Sequence, residues 1–295
     1  MEHLNTQTLC ILGHGNQGAA VLQGVPSASA ERKIKSLFTR YIACAVREPD
    51  VIILGVDPSD IETVLSQPGL REALTTKLLI SVAAGWTRQK LEEALYGSKT
   101  TTTNTSGRAR VVRALATIAA QVSDSLTAIQ ISEPAVPEQY LQVANTIFEQ
   151  IGKTVQVEPQ LMNATVIAGG ATPAFFAVVC DALIDAAVAV GLPRAIAHTV
   201  IFQSMQGIAT MLQSGIHPAL LKDQGTSSEG CTIGGLMILE DGAVRGHIGH
   251  EAVTLARFME TTEHVNDTRH WALPTTSGLI YRLIHCSYYI EPIYH

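Results

Sequence analysis

Short apolar runs separated by polar turns fill the first half of the chain. Residues 9–12 form one such run, 51–56 a second and 78–82 a third. Each is continuously apolar or nearly so, which is the pattern of a parallel strand covered on both faces. Residues 38–46 read as a further strand, lying between the first two in sequence. Between and after the strands, helical spacing appears at 19–22, 60–65, 87–95 and 138–150, with Thr87 placed to cap its helix ahead of Lys90. Residues 100–103 and 128–131 read as two more strands, and 153–157 as a last one. Strands alternating with helices predict a doubly wound α/β sheet. From residue 161 onward no strand pattern recurs. Helices are expected at about 161–190, 194–213, 217–223, 231–239 and 243–260, which makes the second unit all-α.

The first strand runs into Gly13-His14-Gly15-Asn16-Gln17-Gly18 and then into an apolar helix start. A glycine fingerprint between strand and helix is the context that a dinucleotide turn requires. Gly13 permits the tight turn, Gly15 lets the backbone approach a pyrophosphate, and Gly18 lets the helix pack on the strand. Free N–H groups at the helix start favour the phosphates.

In the helical half, Ala171-Thr172-Pro173-Ala174-Phe175-Phe176 enters a long helix that carries Asp181 and Asp185. Val190-Gly191-Leu192-Pro193-Arg194 stops it and restarts the next. His217-Pro218 and Leu221-Lys222-Asp223-Gln224 follow, then Thr226-Ser227-Ser228-Glu229-Gly230-Cys231-Thr232-Ile233. This order resembles the C-terminal domain of pyrroline-5-carboxylate reductases, and the resemblance covers about residues 9–258. It implies an N-terminal Rossmann-type domain over 1–159, a helical dimerisation and substrate domain over 160–260, and an atypical tail over 261–295. It also implies NAD(P)H-dependent reduction of a cyclic imino acid, 1-pyrroline-5-carboxylate to proline in the simplest case. NADPH is preferred to NADH in this reading. The domain is expected to interlock with that of a second copy, giving a homodimer or an oligomer of dimers whose site borrows residues across the interface.

Carried onto this chain, the resemblance makes Thr232 the residue at the imine nitrogen. Thr226, Ser227, Ser228, Gly230 and Cys231 join it in holding the substrate. The cofactor falls to Gly13, His14, Gly15, Asn16, Gln17 and Gly18, to Val56 and Pro58, to Ala83, Ala84 and Gly85, to Arg47 for a 2′-phosphate, and to Thr117 near the nicotinamide. Several positions depart from the family. Ser228-Glu229 replace Pro-Gly in the loop, which puts a negative charge beside the expected carboxylate site. Ala116-Thr117-Ile118-Ala119-Ala120 replace Pro-Asn-Thr-Pro-Ala, and the stretch that contains them reads as helical. Only four residues separate the expected strand at 38–46 from the one at 51, too few for a crossover between adjacent parallel strands. These departures keep two alternatives open: an imine reductase for a modified proline, or a degenerate homologue that only dimerises.

Composition narrows the classes. Hydrophobic residues make up 46% and charged residues 16% of the 295, with a net charge of -6. The basic residues are scattered, so no nucleic-acid footprint appears. Five cysteines without paired spacing argue against a zinc site or a disulfide framework and suit a reducing cytosol. The polar first eight residues do not read as a secretory signal. Residues 162–180 carry no charge, but their glycines, threonines and proline, with Asp181 and Asp185 close behind, favour a helix buried in protein over a membrane span. His247 and His250 share a helix face with no evident third ligand, so no metal is expected. No lysine lies between 163 and 192, where related hydroxyacid dehydrogenases keep an acid/base; this counts against hydroxyacid chemistry.

Overall fold

The computed structural model describes residues 9–13, 18, 20–21, 34–37, 46–97, 107–131, 135–250 and 253–254. The strand expected at 100–103 and the tail from 261 lie outside these residues. A seven-stranded sheet is built from β1 (Leu9–Leu12), β2 (Ile34–Leu37), β3 (Val51–Leu54), β4 (Leu78–Ser81), β5 (Arg110–Ala116), β6 (Ser125–Gln130) and β7 (Gly152–Val157). Its order is β2-β1-β3-β4-β5-β6-β7. Every neighbouring pair is parallel except β5 with β6.

Every residue of β1, β3 and β4 is buried, because helices cover both faces. Alternate residues supply two cores. Leu9, Ile11, Ile53 and Ile80 pack beneath α4 (Glu138–Phe148), which contributes Leu141, Ala144, Ile147 and Phe148. Cys10, Leu12, Ile52, Leu54 and Leu79 face the other way. They meet α1 (Ile61–Leu65), α2 (Leu70–Ala73) and α3 (Arg88–Tyr96). The Thr87 hydroxyl accepts from the Lys90 N–H at 3.2 Å and caps α3 as expected.

Residues 38–45, most of the expected second strand, lie outside the described residues; the second strand that the structure describes is 34–37, which pairs with β1 on the side opposite β3. Because β2 and β3 are not neighbours, no crossover between adjacent strands is missing. Residues 110–116, which carry two arginines, form a full strand. Ser125–Gln130 starts three residues earlier than the pattern suggested, and the expected helical stretch reduces to a 3-10 turn at Ile118–Val122.

The helical region contains α5 (Met162–Val166), α6 (Thr172–Ala189), α7 (Arg194–Gln213), α8 (Pro218–Gln224) and α9 (Cys231–Asp241). Residues 244–250 are helical as well. A π-helical turn at Ile167–Ala171 joins α5 to α6. Met162 packs with Leu115 and Ala128 and ties the start of the region to the sheet. Gly191 turns the chain with φ +99, and Asp185 meets Arg194 across that turn at 2.8 Å. Helices α6 and α7 pack on each other, yet in α6 only Cys180 and Ile184 are buried, in α7 only Ala197, and in α9 nothing. Val178, Phe202 and Ile238 stand open to solvent at 70%, 53% and 71% exposure. By length and composition the segment Pro159–Ala189 is apolar enough to cross a membrane. Only 17% of its most apolar window is buried within the protomer.

Candidate functional site

The carboxyl ends of β1, β3, β4 and β5 share one edge of the sheet, the side on which open α/β sheets bind ligands. Gly13 follows β1 with φ +93, and a Cβ there would lie 2.5 Å from the backbone N and Cα of Val56. Both the conformation and the space exclude a side chain. A Cβ on Gly18 would lie 2.5 Å from the Gly55 carbonyl oxygen, and one on Gly55 would lie 2.7 Å from the Gly18 Cα. Two glycines facing each other therefore let the helix that includes Gly18 press onto the end of β3. Gly55 also donates its N–H to the Leu12 carbonyl at 2.7 Å, extending the β1–β3 ladder one residue past the end of β3. Residues 14–17, with Gly15 at their centre, lie outside the described residues.

The neighbouring loops are tied to this edge. The Asp57 carboxylate accepts from the Ser59 N–H at 3.2 Å and from its hydroxyl at 3.0 Å. The Trp86 indole N–H donates to the Pro58 carbonyl at 2.9 Å. That bond joins the loop after β3, with Val56 and Pro58, to the loop after β4, with Ala83, Ala84 and Gly85. Gly85 has φ +73 and open space where a Cβ would stand.

Thr117 lies at the same edge, directly after β5. Its N–H donates to the Ser125 hydroxyl at 3.0 Å, and the two hydroxyls are 3.3 Å apart. On its other side a Cβ at Gly169, in the π-helical turn, would sit 3.6 Å from the Thr117 methyl. The glycines of 168–175 thus form a kink where the helical region meets the sheet.

Arg47 is elsewhere. It precedes Val51, the first residue of β3, and therefore belongs to the amino end of the sheet, opposite the Gly13 turn. There its carbonyl and that of Val46 accept from the Lys77 ammonium. Desolvation by burial lowers the pKa of Lys77, against the opposing pull of Asp50. The assignment of Arg47 to a 2′-phosphate at the ligand edge is corrected accordingly.

The loop between α8 and α9 holds the expected substrate residues. Thr226 gives its hydroxyl to the Lys222 carbonyl at 2.7 Å. The Gly230 N–H closes a turn on the Ser227 carbonyl at 3.1 Å, with Glu229 in the left-handed region at φ +59. Gly230 is the N-cap of α9, so Cys231 and Thr232 are its first two residues. Ser227, Ser228, Glu229, Cys231 and Thr232 are exposed. Neither α8 nor α9 packs extensively on the sheet of its own chain. Among the described residues, one protomer therefore does not join this loop to the Gly13 edge.

Gly55, Trp86 and Ser125 were not singled out from the sequence. A glycine that interrupts a buried apolar run is a signal of close backbone approach, and Gly55 carries it. Trp86 and Ser125 act through partners 28 and 8 residues away, which local pattern does not reveal.

A family model described as pyrroline-5-carboxylate reductase dimerisation matches residues 159–259. One described as NADP oxidoreductase, coenzyme F420-dependent, matches residues 8–85. A pyrroline-5-carboxylate reductase of Lophium arboricola is 35% identical over 308 residues, spanning 89% of this chain and 96% of its own. One of Methanosarcina acetivorans is 35% identical, spanning 82% and 93%. Among solved structures, the Plasmodium falciparum pyrroline carboxylate reductase with NADP bound superposes with a TM-score of 0.76 at 22% identity, over 88% of this chain and 99% of that one. The Streptococcus pyogenes enzyme gives 0.75 at 21%. At such identities the structural likeness speaks for the fold.

Proposed function

Since the chain belongs to the pyrroline-5-carboxylate reductase family, we propose that it reduces 1-pyrroline-5-carboxylate to proline with NADPH as the donor. The observation that carries the reading is the ligand edge. A glycine turn that excludes side chains at Gly13 and presses Gly18 onto Gly55 fits the diphosphate of a dinucleotide. The loops with Val56, Pro58, Ala83, Ala84 and Gly85 border the same edge, and Thr117 stands at its far end.

Bound NADPH supplies the hydride. The C=N double bond becomes a C–H and an N–H single-bonded amine, so one hydride goes to the ring carbon and the nitrogen ends with one proton. A protonated imine is already electrophilic. The protein's task is therefore chiefly to orient the ring and exclude water, and no strong acid is required. Thr232, in the first turn of α9, offers its hydroxyl to the ring nitrogen. The free N–H groups at the start of α9, with Ser227 and Ser228 ahead of them, suit the carboxylate.

The loop does not pack on its own sheet, and α6, α7 and α9 keep wide apolar faces open. A homodimer accounts for both. The faces cover each other, the Pro159–Ala189 segment is buried between copies rather than in lipid, and Thr232 of the partner subunit completes each site.

The test is imine-dependent oxidation of NADPH by the purified protein. Thr232→Ala should lower kcat/KM by roughly ten- to a thousand-fold, as expected for one lost active-site hydrogen bond. Thr232→Ser should keep most activity, and NADPH affinity should hold in both. A hydroxyl that served only the helix start would instead lower stability by about 1 kcal/mol and leave the rate per folded molecule unchanged. Failure of the wild type to reduce any cyclic imino acid would sink the reading.

A further inference from the structure

We infer that Ser125 is a positioning residue: its buried hydroxyl fixes the Thr117 turn against the nicotinamide half of the bound cofactor. The inference rests on the proposed function for the identity of that cofactor.

Ser125 opens β6 and is 3% exposed. Its hydroxyl oxygen takes the Thr117 N–H at 3.0 Å and lies 3.3 Å from the Thr117 hydroxyl. The bond closes the base of a turn that is otherwise held by its own backbone. Ala120 donates to the Thr117 carbonyl at 3.1 Å, and Asp124 donates to the Ala119 carbonyl at 3.1 Å. Ser123 stands in the left-handed region at φ +58. Ser125 has little freedom of its own. Gly152 lies so close to its backbone that any Cβ there would collide with the Ser125 N and carbonyl oxygen. Thr117 is thus pinned from beneath by a strand residue that cannot shift, and met on its other side by Gly169 of the π-helical turn.

Where that pin acts decides what it does. Along the ligand edge Thr117 is three strands from Gly13, about 14 Å at the usual strand spacing. A dinucleotide whose diphosphate sits at Gly13 and which extends along the edge brings its nicotinamide end toward Thr117 and its adenosine end away. Loosening the Ser125–Thr117 bond should therefore disorder one half of the cofactor and spare the other. A bond that merely stabilised the β5–β6 turn would not discriminate between the halves.

The experiment compares NADPH with 2′,5′-ADP, which carries the adenosine half alone. For Ser125→Ala the expected result is unchanged affinity for 2′,5′-ADP, loss of most of the NADPH fluorescence enhancement on binding, and kcat lowered by about tenfold or more. Wild-type NADPH emission and kcat in Ser125→Ala would overturn the inference, as would an equal loss of 2′,5′-ADP affinity. If Ser125→Ala does not fold, Ser125→Cys decides on the same measurements. It keeps the size of the side chain but replaces the hydroxyl that takes the Thr117 N–H by a weak acceptor; a selective loss of the nicotinamide signal supports the inference and wild-type behaviour overturns it. If the wild-type protein reduces no cyclic imino acid, the proposed function fails. The emission contrast between wild type and Ser125→Ala still judges the role of Ser125.

Discussion

Single residues show how sharply sequence position and spatial position can differ. Arg47 and Arg40 are seven residues apart in the sequence. Arg47 follows the stretch that reads as the second strand, but the strand ends at Leu37. The arginine next in line after its carboxyl end is Arg40, outside the described residues. Ribose recognition in such sheets falls to residues just past this strand. Arg40→Ala should therefore raise the KM for NADPH by about tenfold, as loss of a charged hydrogen bond would, and leave the KM for NADH nearly unchanged. Arg47→Ala should alter neither. Steady-state kinetics with both cofactors check the pair, and an effect confined to Arg47→Ala would contradict the placement. The glycines, by contrast, were legible from sequence. Gly13 and Gly18 fell in a fingerprint whose physical demands, a tight turn and a close approach, the fold makes of them. Glu229 was legible as an odd charge but not as a left-handed residue, since nothing local marks its φ of +59.

Among elements, β1, β3 and β4 were plain because burial on both faces leaves continuous apolar runs. β2 was misplaced for the converse reason. Ile34-Lys35-Ser36-Leu37 is an edge strand with two apolar residues, and the richer run that follows it drew the assignment. β5 was missed because Arg110 and Arg113 look like surface residues. In fact Arg113 is 4% exposed and donates to the Gln130 side-chain oxygen of β6 at 2.9 Å. Gln130 offers it an acceptor from the neighbouring strand, a tertiary fact with no local signature. Gln130→Leu should cost about 1–3 kcal/mol, because it removes an acceptor from a buried guanidinium. The loss should appear as a lower urea midpoint with an unchanged slope. A midpoint equal to that of the wild type would mean that the guanidinium is satisfied without Gln130.

At the scale of the molecule, the alternation of strands and helices was sufficient for the two-part architecture, and the apolar stretch 162–180 pointed to a covered helix. The described residues leave it open, and in the proposed dimer a second copy covers it, which no reading of one protomer could supply. Large open faces on α6, α7 and α9 are the mark of an assembly whose folded monomer is not stable by itself. The melting temperature should accordingly rise with protein concentration. A concentration-independent melt, together with a monomer in sedimentation, would leave those faces unexplained.

The separation of the α8–α9 loop from its own sheet also has a genetic consequence. If each centre draws its dinucleotide turn from one copy and Thr232 from the other, two dead alleles can rescue each other. A Gly15→Val chain, damaged at the fingerprint, and a Thr232→Ala chain should each be nearly inactive alone. When they are co-expressed in equal amounts and pair at random, half of the dimers are mixed. Each mixed dimer holds one centre free of both lesions and one that carries both. Activity should therefore recover to about a quarter of the wild-type level. If the loop served the sheet of its own chain, every centre would carry a lesion and co-expression would restore nothing.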